Sequence, residues 1–246
     1  MSEPPKTYGE IWDRYVTKSF PKIQRSVTKK HEIEWPGDEW GSPQRWQQTF
    51  HTMFVEHLPK DVKLGLEIGS GSGKYSRLFL EHYTGASLVA ADVSGAFLQA
   101  LSERCADLID VGRLHTGQIY TEHTALSDIA KRAGYGPGTF DVVYSIDAMV
   151  HVDLQFLTAY WLSAVELLRP GGKVIMTVAD ATRDFGFETL LEHVPIYFKH
   201  QGRQTTKFEW LCPYLVEYVL GRLGFEVQEV KAPSSKRDYC FVATKI

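Results

Sequence analysis

The chain has 246 residues, 43% of them apolar, with 27 Lys and Arg against 30 Asp and Glu for a formal charge of −3. That composition closes one sizeable core and argues against disorder or a second full domain, and its near-balanced, scattered charge provides no field to gather nucleic acid. The three cysteines, Cys105, Cys212 and Cys240, lie far apart without a C-x-x-C pair, so neither a zinc site nor a disulfide framework is implied and a reducing compartment fits. The N-terminus, Met1-Ser2-Glu3-Pro4-Pro5-Lys6, has no apolar segment behind its charge, and no apolar run reaches the length of a membrane span. The expectation is a soluble, cytoplasmic protein.

The first sixty residues carry Trp12, Trp35, Trp40 and Trp46 and the turn signals Pro36-Gly37-Asp38 and Gly41-Ser42-Pro43. They read as helices and a turn folded over the remainder, the tryptophans either filling core or walling a pocket. From Val62 short apolar runs alternate with helical patterns, as in a parallel sheet covered on both faces. A first strand is expected at 62–68, a helix over Lys74–Tyr83, a second strand at 87–92 and a helix through Phe97, Leu98, Leu101 and Cys105. A weaker third strand spans 114–122, and a clear fourth spans 140–146 behind the turn Gly136-Pro137-Gly138-Thr139. Helix 154–168 stops at Arg169-Pro170-Gly171-Gly172, where proline and glycine cannot continue it, and Lys173–Val178 is a fifth strand. Residues 181–207 read as irregular and 208–223 as helical. Runs 225–231 and 238–245 form a closing hairpin around Ala232–Arg237. The fold class is therefore α/β: a seven-stranded, mostly parallel sheet with one antiparallel strand near its edge and helices on both faces. Residues 61–246 form the domain, 1–60 an N-terminal extension capping it, and 181–207 a lid inserted in it.

The most informative stretch follows the first strand. Glu67-Ile68-Gly69-Ser70-Gly71-Ser72-Gly73 turns a buried strand sharply into a helix, and only glycine combines positive φ with close approach to a bound nucleoside. A dinucleotide fingerprint would need its third glycine where Lys74 stands. Glu67 would repel a pyrophosphate but suits the ammonium of a methionine moiety, so the spacing points to S-adenosylmethionine. Asp92 and Val93 end the second strand, where a carboxylate accepts both ribose hydroxyls, unless Asp92 only caps the helix opening at Ser94-Gly95. Glu122 after the third strand is a candidate acceptor for the adenine amino group, or an exposed turn acid. Ser145 and Ile146 are expected to line the floor beside the methyl group.

Glu67–Gly73, Val89-Ala90-Ala91-Asp92, Phe140–Ser145 and Leu168–Gly172 resemble, in order and spacing, the motifs of class I S-adenosylmethionine-dependent methyltransferases, over about 62–180. That resemblance implies a Rossmann-like fold. Trp40-Gly41 and Ser145–Val152 look like a bacterial group that methylates sugars, glycans and other small molecules. That group often has a histidine-rich segment after the fifth strand, where this chain has Val178-Ala179-Asp180-Ala181-Thr182-Arg183.

Methyl transfer is an in-line displacement that needs an aligned, often deprotonated acceptor. His151 lies just beyond the fourth strand, where a neutral imidazole would serve as general base; packing beneath the adenosine is the alternative. Asp147 is a second catalytic candidate. Resemblance to metal-dependent O-methyltransferases pairs Asp147 with Asp180 as Mg²⁺ ligands, but those proteins carry a second acid or amide where Ala181 stands, so no metal is the preferred reading, with both aspartates as caps or hydroxyl binders. The expected activity is methylation of a hydroxyl on a small molecule, sugar or glycan. N-methylation, protein side-chain methylation and non-catalytic nucleoside binding remain as alternatives, and the extension is compatible with a homodimer.

Overall fold

The computed structural model describes residues 7–26, 33–120, 125–202 and 204–246. Its centre is a seven-stranded sheet in the order β3-β2-β1-β4-β5-β7-β6. The strands are β1 (Leu64–Ile68), β2 (Ser87–Asp92), β3 (Leu114–Gln118), β4 (Phe140–Ser145), β5 (Leu168–Ala179), β6 (Phe225–Glu229) and β7 (Asp238–Lys245). The first five run parallel, and β7 enters antiparallel between β5 and β6. The expected α/β fold, with its closing hairpin, is the one observed.

Strand alternation sorts the core into two layers. Leu66, Ile68, Val143, Val174 and Met176 face α7 (Leu126–Arg132) and α8 (Leu154–Leu167), around the fully buried Trp161. Leu88, Ala90, Val142, Tyr144 and Ile175 face the other way, onto α3 (Pro43–Phe50), its π-helical continuation His51–Val55, and α4 (Lys74–His82). Helix starts follow local chemistry. Asp153 caps α8 by accepting from the Phe156 N–H, and Ser94 caps α5 (Gly95–Arg104) by accepting from Phe97. Helix α6 (Ala106–Asp110) completes that connection.

Several boundaries differ from the sequence reading. Helix α8 ends before Arg169 as expected, but the chain passes straight into β5, because the Arg169 Nε bonds the Asp141 carboxylate at 2.6 Å and lays residues 168–172 beside β4. The segment 181–207 is not irregular: α9 (Asp184–His200) occupies most of it, with Pro195 inside the helix. Residues 208–212 are extended rather than helical. Leu211 bridges to Asp180, so α10 begins only at Pro213 and runs to Arg222. Strand β3 stops at Gln118.

Residues 8–15 and the segment 36–46 fold over the carboxyl ends of the strands. Helix α1 (Tyr8–Arg14) continues through a π-helical turn, Tyr15–Ser19, into α2 (Phe20–Ser26). One Asp13 carboxylate oxygen accepts from Ser94 Oγ at 2.6 Å and the Ala96 N–H at 3.0 Å, fastening this helical run to the start of α5. The 3-10 turn Asp38–Trp40 is tied down by the Arg104–Asp38 ion pair at 2.9 Å.

Gly65 illustrates how tightly the α4 face is filled. A Cβ there would stand 2.8 Å from the Phe79 ring. Gly65→Ala is expected to cost about 1–3 kcal/mol by overpacking, measured by urea denaturation, with partial recovery when Phe79→Leu is added.

Candidate functional site

A cleft of about 1020 Å³ opens where the strands end and the N-terminal helix crosses them. Its floor is the turn after β1. Gly69 adopts φ +71°, and a Cβ there would lie 2.4 Å from the Ala148 methyl, so this position admits only glycine. At Gly71, also at positive φ, a Cβ would have Phe97 no nearer than 3.8 Å, so here the backbone is bare toward the cleft. Both residues line the cleft, with Glu67 and Ser70, whose buried Oγ has no hydrogen-bond partner among the described residues.

Asp92 joins two strand ends. Its Oδ2 accepts from the Gly71 N–H at 2.8 Å and its Oδ1 from the Ser94 N–H at 2.8 Å. Each oxygen keeps a further acceptor position, which suits a vicinal diol. Burial pushes its carboxyl up to about 6, against those two N–H bonds. Asp92 and Val93 line the cleft with Phe97 and Ile119, below Tyr8, Trp12, Tyr15 and Trp40.

Glu67 is more deeply placed than its sequence position suggests. Its Oε2 accepts from Ser76 Oγ and from the Tyr144 hydroxyl. Burial raises its carboxyl to about 8, an effect those two bonds only partly offset. Lys74 crosses to the extension: Nζ donates to the Gly37 carbonyl at 3.0 Å and sits 4.2 Å from the Trp46 ring centroid, and burial lowers it to about 8. The sequence treats Lys74 only as a missing glycine. A cation leaving a strand-helix turn beneath a Trp-bearing extension was the available signal.

His151 lies in the 3-10 turn Met149–His151 beyond β4 and lines the cleft. Its Nδ1 donates to the Lys207 carbonyl at 2.5 Å, leaving Nε2 with its lone pair. The ring stacks on Phe208 at 5.0 Å and lies 5.5 Å from Trp12. Burial among these rings lowers its pKa below the usual imidazole value, and the Lys207 bond opposes this. Phe208 and Lys207 are positioned because the extended strip 207–211 follows the strand ends, with Glu209 N–H donating to the Val150 carbonyl at 2.9 Å.

Asp147 also lines the cleft, at the unusual φ of +60° for a non-glycine residue. It is pinned by its N–H to Thr177 Oγ1 at 2.8 Å and by its carboxylate to Arg237 Nη2 at 2.9 Å. Arg237 also holds Asp238 with both Nε and Nη2, at 2.6 and 2.8 Å, and lies over Phe208. Nothing in the sequence marks this arginine, which arrives from the β6–β7 connection.

Other expected site residues stand elsewhere. Gly73 does not line the cleft. It lets α4 approach α5, since a Cβ there would lie 2.9 Å from Leu101. Ser145 is fully buried and gives its hydroxyl to the Ile68 carbonyl at 2.6 Å, so Ile146, not Ser145, forms the floor. Glu122 lies outside the described residues. Asp180 does not join Asp147 as a metal ligand: its oxygens accept from Thr182 N–H and Oγ1 and from Arg183 Nε. Among the described residues no three His, Cys, Asp or Glu side chains gather into a group that could hold a metal ion, and the donor set here does not fit Mg²⁺. Among them, too, no helix is long and apolar enough to cross a membrane.

The fold is that of solved methyltransferase structures. Residues 66–174 match the family model described as a methyltransferase domain. Over 143 residues the chain is 28% identical to phosphoethanolamine N-methyltransferase 1 of Triticum aestivum, covering 58% of this chain and 24% of the wheat protein. Among solved structures it resembles Haemonchus contortus phosphoethanolamine N-methyltransferase 2 in complex with S-adenosyl-L-methionine, with TM-score 0.60 and 18% identity over 92% of this chain and 46% of that one. It also resembles magnesium protoporphyrin IX methyltransferase from Synechocystis PCC 6803 with bound SAH, with TM-score 0.61 and 14% identity over 95% and 97% of the two chains. The chain thus spans about a quarter of the length of the curated relative and under half of the Haemonchus protein.

Glu67 generates a prediction. An unfolded chain ionises this carboxyl near the ordinary value of about 4.5, whereas the folded chain keeps it protonated up to about 8. Its contribution to stability is therefore full at low pH, lost as pH rises across that window, and constant above it. Glu67→Gln, which keeps an acceptor for Ser76 and Tyr144 but does not titrate, should gain on the wild type from pH 5 to pH 8 by on the order of 1–3 kcal/mol. Thermal melts across that range would show it.

Proposed function

We propose that this protein transfers a methyl group from S-adenosylmethionine to a hydroxyl of a small molecule, sugar or glycan seated in the cleft, with His151 as the general base. The observation that carries this reading is the Nδ1–H bond from His151 to the Lys207 carbonyl, which leaves Nε2 as an acceptor in the same cleft as Asp92 and the glycine turn. S-adenosylmethionine supplies the methyl group already activated on a sulfonium. Asp92 accepts the ribose hydroxyls, Gly71 offers bare backbone beside them, and Val93, Phe97 and Ile119 flank the adenine. Glu67 faces the methionine ammonium and ionises as that cation arrives. Residues 8–26 and 33–55 act as a cap that excludes water, and α9 contributes Phe185 to the cleft as part of a lid. His151 takes the acceptor's proton as the new C–O bond forms. Asp147, held by Thr177 and Arg237, orients the acceptor.

An amine acceptor is the second reading, and the names of the wheat and Haemonchus relatives favour it. Turnover assays with phenols and sugars against phosphoethanolamine and simpler amines separate the two. No turnover with either class, despite tight cofactor binding, would leave a non-catalytic binding subunit or an untested acceptor.

Three measurements test the site. Calorimetric titration should show S-adenosylhomocysteine binding to the wild type and a loss of at least tenfold in Asp92→Ala. Undiminished binding in the variant would remove Asp92 from the site. Near pH 7 the same titration in buffers of different ionisation enthalpy should show proton release that Glu67→Gln abolishes, because Glu67 is protonated before binding. The rate should fall on the acid side with a midpoint below the ordinary imidazole value of about 6.5, since His151 acts when neutral, and His151→Gln should lose this limb along with roughly 10²–10⁴-fold in kcat. Unchanged turnover in that variant at every pH would end the base assignment.

A further inference from the structure

Among the described residues, helix α9 carries more exposed large apolar side chains than any other element. It has an inner stripe, Gly186, Thr189, Leu190 and His193, whose ends secure it to the body. At Gly186 a Cβ would stand 2.0 Å from the Asp180 carbonyl oxygen, and His193 stacks on Phe208 at 5.3 Å. One residue further round, Phe187, Leu191, Val194 and Phe198 form a second stripe at helical spacing, and these are 52%, 56%, 41% and 74% exposed. Beyond that runs a charged stripe, Glu188, Glu192 and Lys199.

We infer that the second stripe pairs with its own copy, two α9 helices lying antiparallel across a two-fold axis. The four apolar side chains leave roughly 400–500 Å² exposed per chain, in the range of a monomer's largest, often functional, patch. With its charged flank the face approaches the ~800 Å² per partner of a standard interface. The sequence of the helix is matched to its own reverse. About a centre between Glu192 and His193, Phe187 falls opposite Phe198 and Leu191 opposite Val194. The same operation brings the acidic first half, Asp184 and Glu188, beside the basic last turn, Lys199 and His200. A parallel pairing would set like charges together. A lipid surface is the poorer match, since this helix carries three acids and only Lys199 as a permanent cation, the reverse of an interfacial helix.

Sedimentation equilibrium of the full chain should show a dimer that Leu191→Glu and Phe198→Glu each convert to monomer, with unchanged circular dichroism and melting, because both side chains are exposed. Glu188→Lys should weaken the dimer, and adding Lys199→Glu should restore it, which is the signature of antiparallel pairing. Leu191→Cys, on the contact stripe beside the axis, should form a disulfide-linked dimer on mild oxidation, and Tyr214→Cys on α10 should not. A wild type that stays monomeric at all concentrations, or a dimer indifferent to both glutamate substitutions, overturns the inference. If Glu188→Lys with Lys199→Glu fails to recover the dimer lost in Glu188→Lys, the antiparallel arrangement is overturned.

Discussion

The cleft depends on one carboxylate. Asp92 ends β2, yet its two oxygens hold the N–H groups of Gly71 in the β1 turn and Ser94 at the start of α5. Those bonds set the separation of two neighbouring strand ends. Ser94 then passes the constraint outward, since its hydroxyl caps α5 and donates to Asp13 of the N-terminal helix. Removing a charge-assisted bond from a buried carboxylate leaves its partners unpaired, a larger effect than the net worth of the bond itself. The glycine turn, the helix start and the cap therefore keep their relative places through one side chain.

A second layer of order comes from segments distant in sequence that meet above the strand ends. The strip 207–211 bonds to Val150, Ala179 and His151, and Arg237 from the last hairpin reaches Asp147. The backbone closures pair polar groups at the strand ends that would otherwise go unsatisfied, while the Arg237–Asp147 contact lies at the exposed edge. The imidazole tautomer, the positive φ of Asp147 and the position of Phe208 all follow from these closures. The side of the cleft that holds His151 and Asp147 is thus closed by the C-terminal third of the chain, and the side that holds Asp92 by the first two strands and the extension.

The N-terminal segment joins both sides. Trp12 contacts Phe97 above the second strand and His151 beyond the fourth, with ring centroids 6.0 and 5.5 Å apart. Trp40 packs against Trp12 and Tyr15, while Lys74 and Arg104 anchor the turn around Gly37 and Asp38. Of the tryptophans that the sequence offered as pocket walls, Trp12, Trp40 and Trp46 line the cleft, whereas Trp35 does not. Aromatic residues bury large areas wherever they land, so composition alone does not sort them.

What the sequence by itself determined is the part governed by local chemistry. Alternating apolar runs specify β1, β2, β4 and β7, glycines at positive φ specify the turn after Glu67, and Pro-Gly-Gly ends α8. Each depends on residues within a few positions of one another, so the succession of elements along the chain, the glycine turn and the place of Asp92 at the end of β2 were legible. Helix α9 was hidden because Gly186 and Pro195 read as breakers, yet the glycine is required by close approach to the Asp180 carbonyl and the helix tolerates its proline on an exposed turn. Ser145 and Gly73 were misplaced because motif position does not say which way a residue faces. The state of Glu67, the fate of Asp180 and the arrival of Arg237 were decided by the tertiary structure alone. Burial and long-range hydrogen bonds control protonation and direction, and those partners are set only when distant segments close on one another.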